Sequence, residues 1–422
     1  MGAERSPLII ASADELRALV GELLAAPRYA LDTEFHRERT YWPQLALVQV
    51  AWRLPGAGER PGAGGRPGAG GRPGAGERRG AGELRVALVD PQATDLSPLA
   101  EVLSGPGVMV AHAARQDLEV LWRACGALPR RLFDTLVAGG FLGYASASLR
   151  TLAEAFLGLR LTKGDRLSDW SRRPLSGSQV EYAASDVAHL LDLADALTRE
   201  LEARGRLAWA EQESAAMLKM PMSPPDPKEA WWKLRDNRAL QGASRGVAQE
   251  VAAWRELKAR ELDLLPRAVL PDLAVLSIAH QPPRSLAALQ EVRGLDHRHL
   301  AGGAAEEIMQ AVARGRALAP SEVRTPKGEQ VGKQLKPAVA LASAWVAQLS
   351  REQAIAAPLL ATRADIVEWL SGRDGARLGE GWRAELVGVP LKRLVGGEVS
   401  LALDREGNLV MEERLGAAGA AS

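Results

Sequence analysis

Short apolar runs alternate with helical patterns over roughly the first two hundred residues of this 422-residue chain. Strand-like runs occur at residues 8–10, 29–35, 45–52, 84–89 and 108–111, and between and after them apolar residues recur at three- and four-residue intervals. Ser12 with Glu15 forms a capping box, which predicts a helix from there to about Ala26. Strands interleaved with helices predict an α/β domain, a mixed sheet with helices on its faces.

Two acids lie one residue apart at the end of the second run, as Asp32 and Glu34. On an extended strand that spacing places both side chains on the same face. Two carboxylates held there repel each other and raise a pKa unless divalent cations lie between them. The pair therefore indicates a metal site, and the alternative for so short a motif is a solvated surface pair.

A helix predicted over about 177–191 carries a phenol and a carboxylate on one side. Ser176 and Gln179 suit a capping box at its start. Tyr182 and Asp186 are four residues apart, so both can meet one ligand. The alternative is a packing tyrosine beside a surface acid.

A third segment, His112 to Leu121, follows the strand at 108–111 and opens a helix that carries Asp117. Chemistry in α/β sheets is usually placed at the carboxyl ends of strands, where Asp117 would lie. The alternative is a first-turn acid stabilised by the helix dipole.

These segments, in this order, resemble the ribonuclease D family, DEDD-superfamily 3′-5′ exonucleases of the tyrosine-containing branch. The similarity extends over about residues 8–203. It rests on Asp-Thr-Glu-Phe at 32–35, Arg-Thr-Tyr-Trp-Pro-Gln-Leu-Ala-Leu-Val-Gln at 39–49, the segment 112–121, Ser-Asp-Trp at 168–170, Arg-Pro-Leu at 173–175 and Tyr-Ala-Ala-Ser-Asp-Val at 182–187.

The resemblance implies an α/β ribonuclease H-like exonuclease domain, with helices on both faces of a mixed sheet, followed by all-α HRDC-type modules. It makes Asp32, Glu34, Asp117 and Asp186 metal ligands, and it makes Tyr182 the side chain that orients the attacking water. Four carboxylates roughly balance two divalent charges, and hard oxygen ligands favour Mg²⁺ or Mn²⁺. The implied reaction is two-metal-ion hydrolysis that releases nucleoside 5′-monophosphates from RNA 3′ ends, as in trimming the 3′ trailers of tRNA precursors.

Three further residues are candidates for substrate binding. Phe35 can stack on the terminal base, although a strand residue of this kind is more often part of a core. Gln49 and His112 are similar candidates, and a structural role is the alternative for each.

Composition predicts a soluble protein with more than one core, since 46% of the residues are apolar. A single cysteine, Cys125, excludes a disulfide framework and favours a reducing cytoplasm. We find no signal-peptide pattern and no apolar run long enough to span a membrane, so we expect a cytoplasmic monomer without a membrane partner. The net charge of +1 neither favours nor excludes nucleic acid.

The predicted domains are an exonuclease domain at 1–215, a linker at 216–230, an HRDC domain at 231–318, a second, diverged helical HRDC-like domain at 334–415 and a disordered tail at 416–422. An insert at 55–83 contains four Gly- and Pro-rich hexapeptides, which cannot bury a core and are predicted to be disordered. The insert is either a tolerated loop expansion or an arginine-bearing RNA-binding arm. Alternating residues around Gly407 and Asn408 predict a β-hairpin near the end.

Residues 231 to about 314 resemble the HRDC domain. The matching segments are Arg-Glu-Leu-Lys-Ala-Arg at 255–260, Leu-Pro-Arg-Ala-Val-Leu-Pro at 265–271, Leu-Ser-Ile-Ala at 276–279 and Leu-Gln-Glu-Val-Arg-Gly-Leu at 289–295. The resemblance implies that basic side chains of this module face nucleic acid. They offer contacts to backbone phosphates, although a solvated face is the common alternative. Besides an exoribonuclease, the residues leave open a DNA exonuclease and a non-catalytic nucleic-acid-binding protein. The basic residues are Arg235, Arg238, Arg245, Arg255, Lys258 and Arg260.

Overall fold

The computed structural model describes residues 6–53, 82–161, 168–325 and 333–414. They divide into two compact units. The sheet unit contains the described residues up to 35, from 45 to 222 and from 337 onward, and the helical unit contains residues 36–44 and the described residues between 223 and 336. The predicted disorder of the tail lies outside the described residues, as does that of the insert except at residues 82 and 83.

The sheet unit is built on six strands in the order β1-β4-β3-β2-β5-β6. β1 pairs in parallel with β4, β2 with β5, and β5 with β6, whereas β3 runs antiparallel to β4, so the mixed sheet is confirmed. The five predicted strands are also confirmed, and β6 was missed. The strands are β1 (Leu8–Ile10), β2 (Arg28–His36), β3 (Gln44–Arg53), β4 (Leu84–Val89), β5 (Val108–Ala111) and β6 (Arg131–Asp134).

Helices cover both faces of this sheet, as predicted. One face packs its β3 residues Val48 and Val50 in a core with α1 and α3, and the other packs Leu47 and Leu88 against Ala183 of α6. The helices are α1 (Ala13–Ala25), α2 (Leu99–Leu103), α3 (Arg115–Cys125), α4 (Thr135–Gly140), α5 (Leu149–Leu157), α6 (Gly177–Ala188), α7 (Leu190–Ala203) and α8 (Leu207–Leu218).

The helical unit packs five helices around a buried core that includes Trp231 and Ile278. α9 and α13 approach so closely that a Cβ atom added to Gly315 would lie 2.5 Å from the Cα atom of Val247. Glycine is therefore needed at this crossing. The helices are α9 (Ala243–Leu262), α10 (Pro266–Val269), α11 (Asp272–His280), α12 (Leu286–Gln290) and α13 (Ala304–Ala317).

Residues 337–414 belong to the sheet unit. The Trp382 indole stacks on that of Trp209, with ring centroids 5.0 Å apart, and Glu213 of α8 accepts hydrogen bonds from Arg377 and Arg383. Whether the predicted region 334–415 is a second HRDC-like domain stays a prediction. Its elements are α14 (Lys336–Gln353), α15 (Ala357–Leu360), α16 (Arg363–Leu370), α17 (Gly381–Arg383), α18 (Val389–Val395) and the predicted hairpin, β7 (Val399–Leu403) antiparallel to β8 (Leu409–Glu413).

Candidate active site

The two acids of β2 project from the sheet face that α6 covers. Tyr29 and Leu31 point into the core shared with α1 and α3. Side chains alternate along a strand, so Asp32 and Glu34 project from the opposite face, and both are partly buried. The predicted common orientation of these two carboxylates is therefore present.

Asp117 reaches the same region from α3. β5 lies beside β2 in the sheet, and α3 begins four residues after β5 ends. The Asp117 side chain is buried and accepts a hydrogen bond from the Thr33 hydroxyl. Burial, and then the negative charge of Asp32, raise the pKa of Asp117 well above its ordinary value. The fold thus brings two of the predicted acids close enough for their charges to interact.

Tyr182 and Asp186 lie on α6, which begins as the sequence predicts. The Ser176 hydroxyl accepts from the Gln179 backbone N–H at 3.2 Å, and the Gln179 side chain accepts from the Ser176 N–H at 2.9 Å. The Tyr182 ring packs 5.9 Å from that of Trp170, centroid to centroid, and both Tyr182 and Asp186 are partly buried. α6 thereby presents the phenol and the carboxylate one turn apart.

Arg173 fixes the segment that leads into α6. Its guanidinium donates to Asp90 at 2.5 and 2.7 Å, to the Ala46 carbonyl at 2.7 Å and to the Trp170 carbonyl at 2.8 Å. The peptide bond to Pro174 is cis. Burial opposes ionisation of Asp90, but the hydrogen bonds from Arg173 and from the backbone hold its pKa below the usual range.

Sequence reasoning missed Asp134, the last residue of β6. Its buried carboxylate accepts four backbone N–H groups, two from the start of α4 and two from the turn that precedes α3. An aspartate after the apolar pair Leu132 and Phe133 has the pattern of a helix N-cap, which would have predicted the bonds to α4. No local pattern would have predicted the bonds to residues twenty positions earlier.

The three predicted substrate residues differ in exposure. Phe35 is partly buried at the end of β2. Gln49 is fully buried, and its amide atoms have no hydrogen-bond partner among the described residues, so contact with a substrate would require the residues covering it to move. Burial lowers the pKa of His112, whose Nδ1 lies 2.9 Å from the Thr135 hydroxyl oxygen. Substrate binding by these three residues stays a prediction.

The predicted metal ligands can be tested by the chemistry of their side chains. Asp32 and Asp117 offer hard oxygen ligands and interact unfavourably while both are charged, which fits a divalent cation at this pair. The fuller set is not assembled, because no group of three or more His, Cys, Asp or Glu side chains in the described parts of the chain is arranged to hold a metal ion. The four-acid, two-ion site remains a prediction.

Most of the basic side chains predicted to face phosphates are used inside the helical unit. Arg255 is only 4% exposed and donates to Asp272 at 2.6 Å, so its predicted phosphate contact is wrong. The reason is that a buried helix face also tolerates arginine when an acid pairs with it. Arg260 donates to the Tyr41 hydroxyl at 2.9 Å. Arg245 bonds the Leu240 carbonyl, Lys258 pairs with Glu261 and Glu307, and Arg235 and Arg238 are exposed.

Comparisons with known proteins agree with this architecture. A 3′-5′ exonuclease family matches residues 80–202, and the HRDC domain family matches residues 244–312. Ribonuclease D of Granulibacter bethesdensis is 32% identical over 94% of this chain and 95% of its own length. Ribonuclease D of Jannaschia sp. is 35% identical over 94% of this chain and 97% of its own length. This chain belongs to the ribonuclease D family.

The fold of the family is present as well. The crystal structure of Escherichia coli RNase D matches with a TM-score of 0.75 at 30% identity, and it covers 93% of this chain and 99% of the E. coli chain. Family membership and the exonuclease fold make the protein a 3′-5′ exoribonuclease, with RNA as its partner. The alternative of a non-catalytic binding protein is thereby set aside. In the described part of the chain, no helix is long and apolar enough to cross a membrane.

Proposed function

We propose that the enzyme releases nucleoside 5′-monophosphates from RNA 3′ ends by two-metal-ion hydrolysis at Asp32, Glu34, Asp117 and Asp186. The observation that carries the proposal is that the buried Asp117 accepts a hydrogen bond from Thr33, the residue next to Asp32 on β2. Burial and the charge of Asp32 both raise the pKa of Asp117. Two carboxylates this close repel each other while both are charged, which is unfavourable in a purely structural core. Such a pair is useful where cations bind.

The proposed ligand set is chemically consistent with Mg²⁺ or Mn²⁺, since every member is a carboxylate. When bound, two such ions supply charge stabilisation to the attacking and leaving oxygens of the phosphodiester. Asp32 and Glu34 would hold them from β2, Asp117 from α3 and Asp186 from α6.

Tyr182 is proposed to orient the attacking water. Its ring is supported by Trp170, and its position on α6 is fixed by the cap at Ser176 and by the Arg173 anchor. A phenol held at a set position can keep a water oxygen in line with the scissile bond. No covalent intermediate on the protein is needed.

We propose structured RNA, and tRNA precursors with 3′ extensions in particular, as the substrate of this enzyme. The E. coli relative is described as an exoribonuclease involved in structured RNA processing. Arg235 and Arg238 are exposed on the helical unit and are candidates for phosphate contacts. Phe35, Gln49 and His112 are proposed to contact the terminal nucleotide. A monomer in the cytoplasm fits the single cysteine, which is buried.

The proposal is tested by digesting 3′-extended tRNA, single-stranded RNA and single-stranded DNA side by side, with Mg²⁺ or with a chelator. Asp117→Ala should lower monophosphate release at least about a hundredfold, since even residues behind metal ligands contribute 10–100-fold. Tyr182→Phe should lower kcat about a hundredfold, within the range of proton-transfer groups, at unchanged KM. Asp14→Asn is the matched control, because Asp14 is an exposed acid of α1.

Unchanged release by Asp117→Ala, or full activity of the wild type in chelator, contradicts the proposed mechanism. Equal rates on single-stranded RNA and DNA would contradict the preference for RNA. Slow trimming of the tRNA relative to unstructured RNA would remove the proposed substrate and leave the mechanism intact.

A further inference from the structure

Asp134 is a buried acid that the proposed chemistry does not use. It is 1% exposed, and its hydrogen bonds leave neither carboxylate oxygen idle. Oδ1 accepts from the N–H groups of Leu136 at 2.8 Å, Val137 at 3.2 Å and Ala113 at 3.2 Å, and Oδ2 accepts from that of Ala114 at 2.8 Å. An amide side chain cannot satisfy this set, because its nitrogen is a donor.

Oδ1 serves both α4 and the turn before α3, whereas Oδ2 serves only the start of α3. Oδ1 caps α4 through Leu136 and Val137, as an ordinary N-cap does. Oδ2 bonds only Ala114, the residue at the N-cap of α3, whose own side chain cannot cap a helix. The start of α3 is therefore held by a side chain of β6.

The turn held by Asp134 is one that alanine disfavours. Ala113 has a φ of +60°, in the left-handed region that residues with a Cβ rarely adopt. Its N–H is among the groups bonded to Asp134. Thr135 adds a second tie, since its hydroxyl donates to the Ala111 carbonyl at 3.1 Å and lies 2.9 Å from His112 Nδ1. Asp134 and Thr135 together contact each of residues 111–114 through hydrogen-bonding groups.

Asp117 lies in the first turn of α3, three residues after Ala114. A shift in the start of α3 would displace this carboxylate relative to Asp32 on β2. Small displacements of ligands and their supports commonly cost one or two orders of magnitude in metal affinity or rate.

We propose that Asp134 is a positioning residue, which holds the left-handed turn before α3 and so sets the place of Asp117 beside Asp32. The inference rests on the proposed function, because it takes Asp117 as a metal ligand. The alternative is that Asp134 matters only as the N-cap of α4 and does not affect the position of Asp117.

Asp134→Asn separates these two roles. The remaining oxygen can keep the Oδ1 bonds to α4 and to Ala113, while the amide nitrogen faces the Ala114 N–H and loses that bond. We expect kcat to fall about tenfold or more and the dissociation constant for Mn²⁺, measured by calorimetry without RNA, to rise by a similar factor, while KM stays within about twofold. Ser148→Ala is the matched control, because it removes an equivalent N-cap from α5.

A rescue variant tests the turn itself. Glycine adopts a φ of +60° readily, so Ala113→Gly should restore part of kcat and of Mn²⁺ affinity in the Asp134→Asn background. If Asp134 only caps α4, this second change should restore nothing. Should Asp134→Asn fail to fold, Thr135→Val carries the test, with an expected loss of about threefold in kcat, within the range for supporting residues.

Wild-type kcat and Mn²⁺ affinity in a folded Asp134→Asn would overturn the inference, whatever its melting temperature. Wild-type values in a folded Thr135→Val, where Asp134→Asn cannot be purified, would do the same. Failure of the proposed function is distinguishable, because then Asp117→Ala itself keeps its activity and its Mn²⁺ affinity.

Discussion

Replacing Arg173 by methionine should destabilise the sheet unit by about 3 kcal/mol. The side chains of Arg173 and Asp90 are 23% and 14% exposed, so the pair lies between a fully buried one, where loss of one partner costs about 3–5 kcal/mol, and a surface one, worth about 0–1 kcal/mol. We assign about 2 kcal/mol to the orphaned Asp90. The carbonyls of Ala46 and Trp170 lose a charged donor, and water replaces it only in part. This adds about 1 kcal/mol to the loss of stability.

The assay is urea unfolding followed by tryptophan fluorescence, with thermal unfolding as a second measure. For a unit of this size, about 3 kcal/mol corresponds to a fall of about 6–12 °C in melting temperature. Arg173→Lys should lower the free energy of unfolding by less than Arg173→Met does. Lysine keeps the charge but cannot donate to Asp90 and both carbonyls together. Arg160→Met is the control, since Arg160 is 88% exposed in its pair with Glu154 and should show no measurable loss.

The dependence on pH tests the cause. Asp90 has a pKa below its unfolded value of 3.8, so its contribution is present above that pH and is lost as pH falls through the folded value. The difference between wild type and Arg173→Met should therefore shrink below about pH 4. A difference under about 0.5 kcal/mol at neutral pH, the size of an ordinary surface substitution, would refute the reasoning and show that other contacts hold the entry to α6.

Two further predictions concern Asp117 and the helical unit. The raised pKa of Asp117 means that the folded protein binds this proton more tightly than the unfolded chain, so the stability gained is present at low pH and lost as pH rises through the folded value. In metal-free buffer at neutral pH, Asp117→Asn should therefore melt above wild type, with the difference vanishing towards about pH 4; equal melting temperatures at both pH values would contradict this. The double change Arg235→Ala with Arg238→Ala should raise KM for 3′-extended tRNA several-fold and leave KM for a short oligonucleotide unchanged. The control is Arg405→Ala, on the exposed hairpin turn. If the double variant and the control have equal KM values for the tRNA, the proposed phosphate contact is wrong.

The features that sequence reasoning predicted well are those fixed by near neighbours. The Ser12 and Ser176 hydroxyls both accept from the backbone N–H three positions later, as predicted. The capping box is complete only at Ser176, because the Glu15 carboxylate accepts from the Ala11 N–H instead of that of Ser12. The strand before Asp32 is specified by its own apolar run, and the hairpin around Gly407 by its turn residues. Local chemistry of this kind can be recognised from the sequence alone.

The features that were missed depend on distant contacts. Arg255 looks like a solvated helix residue until Asp272 is placed beside it. β6 is only four residues long, and its last residue acts on a turn twenty positions earlier. The burial of Gln49 likewise depends on the layer that packs over β3. Tertiary context decides such positions, and a single sequence does not display it.

The sheet unit is discontinuous along the chain, since it contains residues on both sides of the helical unit. During synthesis, Trp209 leaves the ribosome long before Trp382, the indole that stacks on it. At about 5–20 residues per second, the delay is on the order of ten seconds or more. Over that interval the apolar surface around Trp209 is uncovered and exposed to aggregation. A chain truncated before Trp382 would never cover it.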